Sequence, residues 1–124
     1  MRLIYLAGPY SHDEEKVRRE RVDYQAKVMA YFADTTRNLC LYSPIVQWSA
    51  VASAHELPHD FNFWMQQDFH MIRLSTAVWV VTMEGWLDSF GLAQELEFAA
   101  DTGKDVLYVV EDSKGFHLRD AWLT

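Results

Sequence analysis

Two kinds of run alternate along the chain: short stretches that are apolar at nearly every position, and longer ones whose apolar residues recur every three or four. Arg2-Leu-Ile-Tyr-Leu-Ala7 is of the first kind and stops at Gly8-Pro9, which predicts a buried strand ended by a turn. Ser11-His-Asp-Glu14 has the form of a capping box. Val17, Tyr24, Val28, Tyr31 and Phe32 follow at helical spacing, so a helix is predicted from about Asp13 to about Ala33. Leu39 to Tyr42 reads as a second strand, stopped by Ser43-Pro44. Residues 45–59 carry helical patches and small residues, and no single element is assigned to them. A helix is predicted from about Phe61 to about Leu74, and Thr76 to Thr82 is a β-branched run apolar enough to be covered on both faces. Gly85 to Gly91 reads as a loop, followed by a helix from about Ser89 to Ala100 and a strand from Val106 to Val110. The tail from Ser113 is assigned a short helix.

Strands alternating with helices over short connections predict an α/β fold. The expectation is a single doubly wound, flavodoxin- or Rossmann-like domain over residues 1–124, with a parallel sheet of four or five strands. Half of the residues are apolar and 15% are aromatic, enough for a packed core and against disorder. A formal charge of -7 repels a polyanion, which argues against a nucleic-acid polymer as partner. A small anion remains possible, because a few backbone N–H groups can hold one. Cys40 is the only cysteine and lies in an apolar run, so it reads as a packed core thiol. The sequence has no stretch long enough to span a bilayer and no leader-like start, so a soluble, cytoplasmic protein with no membrane partner is expected.

In a doubly wound sheet, ligands bind at the carboxyl ends of the strands. Those ends carry Gly8, Pro9, Tyr10 and Ser11, then Ser43 and Pro44, then residues 84–91 with Asp88, Ser89 and Gly91. The N–H groups at the start of the helix after Ser89 could hold a phosphate or a hydroxyl. By spacing alone, Glu95 and Glu97 fit solvated helix residues and Ser89 an ordinary N-cap.

Three segments in order carry more than spacing: Ile4-Tyr5-Leu6-Ala7-Gly8-Pro9, then Asp68-Phe-His-Met-Ile72, then Asp88-Ser89-Phe-Gly91-Leu-Ala-Gln-Glu95 with Gly103-Lys104 beyond it. Together they resemble the nucleoside 2-deoxyribosyltransferase superfamily, which includes the 2'-deoxynucleoside 5'-phosphate N-hydrolases. The resemblance implies a retaining displacement at the anomeric carbon. Glu95 would be the nucleophile, Asp68 the acid that protonates the departing base, and Tyr5 the residue holding the Glu95 carboxylate in line. The two carboxyls would converge across a pocket about as wide as a sugar ring. Serine rather than a carboxylate at position 89 tilts the expected substrate toward a 5'-monophosphate, hydrolysed to base and sugar phosphate. Asp88, one place earlier, blurs that choice, and base exchange on a nucleoside is the alternative. The resemblance also implies a homo-oligomer, and it implies no metal or organic cofactor, since the carboxylates do the bond chemistry.

Other residues are weaker candidates. Trp64, Trp86 and Tyr10 could stack on a base, though core packing is the commoner fate of such residues, and Gln47 could bond a base edge. Arg19, in the basic run Arg18-Arg-Glu-Arg21, could help hold a phosphate, against the plainer reading of a solvated face balanced by Glu14, Glu15 and Glu20. His55-Glu-Leu-Pro-His59 matches a zinc-binding pattern, but Pro58 opposes the helix that pattern requires. Two rival classes remain: a nucleotide-binding module without turnover, for which the paired carboxyls would be superfluous, and an interaction protein using its five tryptophans as a contact surface.

Overall fold

The two most apolar runs become the two central strands, each flanked by neighbours on both sides and covered on both faces. The computed structural model describes residues 1–121. Its strands are β1 (Arg2–Ala7), β2 (Leu39–Tyr42), β3 (Ala77–Val81), β4 (Asp105–Asp112) and β5 (Gly115–Arg119). Its helices are α1 (Glu15–Thr35), α2 (Pro44–Ala54), α3 (Phe61–Leu74) and α4 (Phe90–Asp101), with one 3-10 turn at Trp86–Asp88. The sheet order is β2-β1-β3-β4-β5. The first four strands are parallel and β5 is antiparallel to β4. This is the flavodoxin-like winding, in which the chain turns one way from β1 to β2 and the other way from β3 onward.

Strand alternation sorts the core into two layers. Ile4, Leu6, Trp79 and Val81 pack with Val28 and Phe32 of α1, while Tyr5, Ala7, Val78 and Val80 pack with Ile72 of α3 and Leu92 and Ala99 of α4. All five residues of β3 are buried, as its β-branched composition requires.

Three local expectations are corrected. The capping box does not form: α1 begins at Glu15 behind Glu14, which makes no side-chain cap. Glu14 N–H donates instead to His12 Nδ1 at 3.0 Å, and Ser11 Oγ donates to the His59 carbonyl at 3.1 Å. The tail from Ser113 is not a helix but the hairpin strand β5. Asp112 Oδ1 accepts from Lys114 N–H in the turn. Gly115 follows at φ 145°, where a Cβ would run into the Tyr31 ring. Phe116 then packs edge-on against Tyr24 and Tyr31, and residues 122–124, on which the end of the expected helix falls, lie outside the described residues. Cys40 is exposed. It sits on the edge strand, on the face opposite to Leu39 and Leu41, where neither core layer reaches it.

The β1–α1 turn is fixed from beneath by a buried amide. Gln25 of α1 is fully buried, and its Nε2 donates to the Pro9 carbonyl at 2.8 Å. A Cβ on Gly8 would lie 2.6 Å from the Gln25 Cδ, so only glycine lets the turn rest on that side chain. Gly8→Ala is therefore expected to destabilise the protein by about 1–3 kcal/mol through overpacking. A shifted midpoint in urea unfolding checks this, and an unchanged midpoint would mean the amide moves aside freely.

Candidate active site

The winding opens a crevice at the carboxyl ends of β1 and β3; two helices each bring a carboxyl to its floor, and β1 sets a tyrosine beneath them. Tyr5 is fully buried near the end of β1, on the face turned toward α3 and α4. The buried positions of α3 are Asp68 and Ile72, one turn apart, so Asp68 shares the inward stripe with an apolar neighbour. On α4 the buried positions are Leu92, Glu95 and Ala99, which put a carboxyl in the middle of an otherwise apolar stripe. Glu97, by contrast, is exposed.

The Tyr5 hydroxyl donates to Glu95 Oε2. The carboxyls of Asp68 and Glu95 lie within hydrogen-bonding range of each other. Two carboxylates cannot share such a contact without a proton, so the pair holds one. Burial pushes Asp68 up to about 7, its contact with Glu95 pulling part of the way back. Burial, then the charge of Asp68, holds Glu95 well above the usual carboxylate range, with the Tyr5 hydroxyl opposing that rise. The proton belongs to the pair rather than to either member. Burial and the neighbouring Glu95 also raise Tyr5 well above an ordinary tyrosine, so it remains a hydroxyl donor. Tyr42, the register partner of Tyr5 on β2, packs its ring 5.9 Å from that of Tyr5.

Above this floor lies a cavity of about 430 Å³. Gly8, Tyr10, Ser11, Trp64, Asp68, Asp88, Ser89, Gly91 and Glu95 all line it. Ser89 is the N-cap of α4, its Oγ accepting from Leu92 N–H at 3.2 Å, which leaves the hydroxyl proton free to donate. Gly91 lets Phe61 approach: a Cβ there would meet the ring at 3.2 Å. Other candidates lie elsewhere. Pro9 is buried behind the wall, with its carbonyl taken by Gln25. Arg19 is exposed on α1 and does not reach the cavity, because the helix turns that position to solvent. Its neighbours Arg18 and Arg21 donate to loop carbonyls, Arg18 to those of His12 and Asp13 and Arg21 to that of Ser11. Trp86 packs against Tyr108 of β4 instead of lining the cavity, and Gln47 is exposed. Of the tryptophans, Trp48 and Trp64 face the cavity and Trp79 is in the core, while Trp122 lies outside the described residues.

The segment that resisted assignment supplies the missing wall. Ser43 caps α2 by accepting from Val46 N–H, with Pro44 in the first turn. Ile45, Trp48, Ser49 and Ala52 then line the cavity at positions i, i+3, i+4 and i+7. Trp48 packs 5.5 Å from Trp64. Beyond α2 the chain turns through Glu56 at φ 54°, so His55 and His59 do not share a helix face. His59 instead joins the cavity rim, its ring 6.0 Å from Tyr10. Trp64 Nε1 donates to the Pro58 carbonyl at 2.9 Å, which, with the Ser11–His59 bond, fixes the rim on two sides. Among the described residues no three acidic, histidine or cysteine side chains are grouped to hold a metal ion, and no helix is long and apolar enough to cross a membrane.

The family model described as Domain of unknown function (DUF1937) matches residues 2–111. No curated protein matches the sequence. Among solved structures, the chain is similar to the 2-deoxyribosyltransferase of Bacillus psychrosaccharolyticus, with a TM-score of 0.53 at 19% identity over 86% of this chain and 70% of that one. At that identity the likeness is one of fold.

The carboxyl pair gives stability a definite pH dependence. In the unfolded chain Asp68 ionises near its ordinary value of 3.8, whereas in the folded chain it keeps its proton up to about 7. Over that window the folded state binds more protons. Stability is therefore full below the lower value and falls as pH rises through the upper one. Asp68→Asn is expected to reduce this fall and to exceed the parent protein at pH 8, by at most about 4 kcal/mol. Denaturant unfolding at pH 5 and pH 8 reads this out, and an unchanged difference between the two pH values in the variant would place the cost elsewhere.

Proposed function

The chain belongs to the family described as Domain of unknown function (DUF1937), and from that premise, with its resemblance to the nucleoside 2-deoxyribosyltransferase superfamily, we propose that it transfers the sugar of a nucleoside between bases through a covalent ester on Glu95. The observation that carries this reading is the buried contact of Tyr5, Glu95 and Asp68 at the floor of an aromatic-lined cavity. A pure ligand holder gains nothing from burying two adjacent acids, because each resists ionisation there. A double displacement needs both.

In the first half, a Glu95 carboxylate oxygen attacks the anomeric carbon. The glycosidic C–N bond breaks with its electron pair going to the base nitrogen, and the proton shared by the pair passes to the base from Asp68. The Tyr5 hydroxyl fixes one Glu95 oxygen, which leaves the other to attack. In the second half, an incoming base gives its N–H proton to Asp68 and attacks the anomeric carbon, which returns the carboxylate to Glu95. Water in that place would give hydrolysis.

A nucleoside fits the cavity better than a nucleotide. Its acidic lining comprises Asp60, Asp68, Asp88 and Glu95, and among the described residues no lysine or arginine lines it. A 5'-phosphate would bring a further negative charge into that field. The monophosphate is a second reading, favoured by the free Ser89 hydroxyl proton at the start of α4.

Incubation with a panel of nucleosides and their 5'-monophosphates, with and without an acceptor base, tests the reading by released base and exchanged nucleoside. Nucleosides are expected to react and monophosphates to lag. Glu95→Ala should abolish the ester, seen as a mass increment on the protein, and lower base release by at least about a thousandfold. Asp68→Asn should slow release of a neutral base by about 10²–10⁴-fold. Unchanged base release in both variants would end the proposal.

A further inference from the structure

The combination of faces and charges in the cavity restricts the departing base further than the chemistry alone requires. One wall is the tilted pair Trp48 and Trp64, with Tyr10 and Phe61 beside it. Four acidic side chains lie on the same surface, Asp60 and Asp88 at exposed positions and Asp68 and Glu95 buried, with the His59 imidazole at the rim and no lysine or arginine among them. Arg18 and Arg21 of the first helix are engaged by the carbonyls of Ser11, His12 and Asp13 and do not line the cavity. Asp68 is 7% exposed, and its Oδ1 meets no hydrogen-bond donor outside the carboxyl pair. Aromatic faces combined with carboxylates in a partly desolvated space form the arrangement that recognises an organic cation. A neutral base would satisfy the aromatic wall but make no use of the acidic lining.

We infer that the preferred substrate is a nucleoside whose base carries a positive charge, such as an N-alkylated purine or a pyridinium ring, held by the Trp48–Trp64 wall and the acidic lining. This inference rests on the proposed glycosyl transfer through Glu95 and names its substrate class. The chemistry balances without a general acid in the first step. Glu95 forms the C–O bond, and the electron pair of the breaking C–N bond neutralises the cationic ring, which leaves as a neutral base. Asp68 is then needed only in the second step, where it takes the proton of the acceptor as the acceptor attacks the anomeric carbon and the ester bond to Glu95 breaks.

The test compares N7-methyl-2'-deoxyguanosine with 2'-deoxyguanosine on the full chain. Base release is divided by the uncatalysed rate of each compound, so that the greater intrinsic lability of the methylated one is removed. Binding of both is measured on the Glu95→Gln protein. The cationic nucleoside is expected to bind at least tenfold more tightly, with the preference narrowed in an Asp60→Asn, Asp88→Asn double variant. Asp68→Asn should slow the first-step burst of neutral base by a hundredfold or more, and that of methylated base by less than about tenfold. Equal or tighter binding of the neutral compound, with its base released, overturns the inference and leaves the glycosyl transfer standing. Release from neither compound, nor from any nucleoside of the panel, with no ester on Glu95, overturns both.

Discussion

The costliest arrangement in the molecule is the burial of two carboxyl groups in contact, and much of the local architecture serves to hold them there. Removing an acid from water disfavours its charged form, and placing a second acid against it disfavours it further. The chain meets this cost with one proton retained by the pair and with the Tyr5 hydroxyl, which donates to Glu95. All three groups sit on regular elements. Tyr5 lies in a central strand, Asp68 precedes Ile72 on the inward stripe of α3, and Glu95 is wedged between Leu92 and Ala99 on α4. Groups on such elements hold their positions more closely than groups on loops, which is what the proposed displacement would require.

Much of this was legible in the sequence because strong patterns coincide with simple physics. The central strands were readable from uninterrupted apolar runs, and the parallel sheet from strands alternating with helices over short connections. Glu95 was harder. Counted as a helix residue near Glu97 it passes for a solvated side chain, yet Leu92, Glu95 and Ala99 lie on one stripe, and an acid inside an apolar stripe is itself a signal of burial. The spacing of Asp68 and Ile72 carries the same signal. The resemblance to a known superfamily pointed to both acids, whereas their contact depends on side-chain geometry that no pattern encodes.

The wall formed by α2 shows where the pattern was present and went unread. Ile45, Trp48, Ser49 and Ala52 keep helical spacing, but the serine and alanines dilute the apolar signal, and the helix is marked mainly by Ser43-Pro44 at its start. The turn after it is a tertiary matter. Glu56 adopts a left-handed conformation, Pro58 forbids helix, and the carbonyls of Pro58 and His59 find their donors in distant Trp64 and Ser11. The exposed Cys40 and the strand after Ser113 were misjudged for the same reason: composition gave the right polarity, while the position at a sheet edge or beside Tyr31 and Phe116 decided the outcome.

The hydroxyl of Tyr5 and the carboxylate of Glu95 stand 90 residues apart in the chain. No hairpin, helix pair or other local fragment contains both, so the site has no existence before the sheet has closed through β3 and α4 has docked. Loop closure over that span must come first, and only then can the contact repay it. The buried acid pair is thus a property of the assembled domain, and a chain in which α4 has not docked carries two ordinary solvated acids.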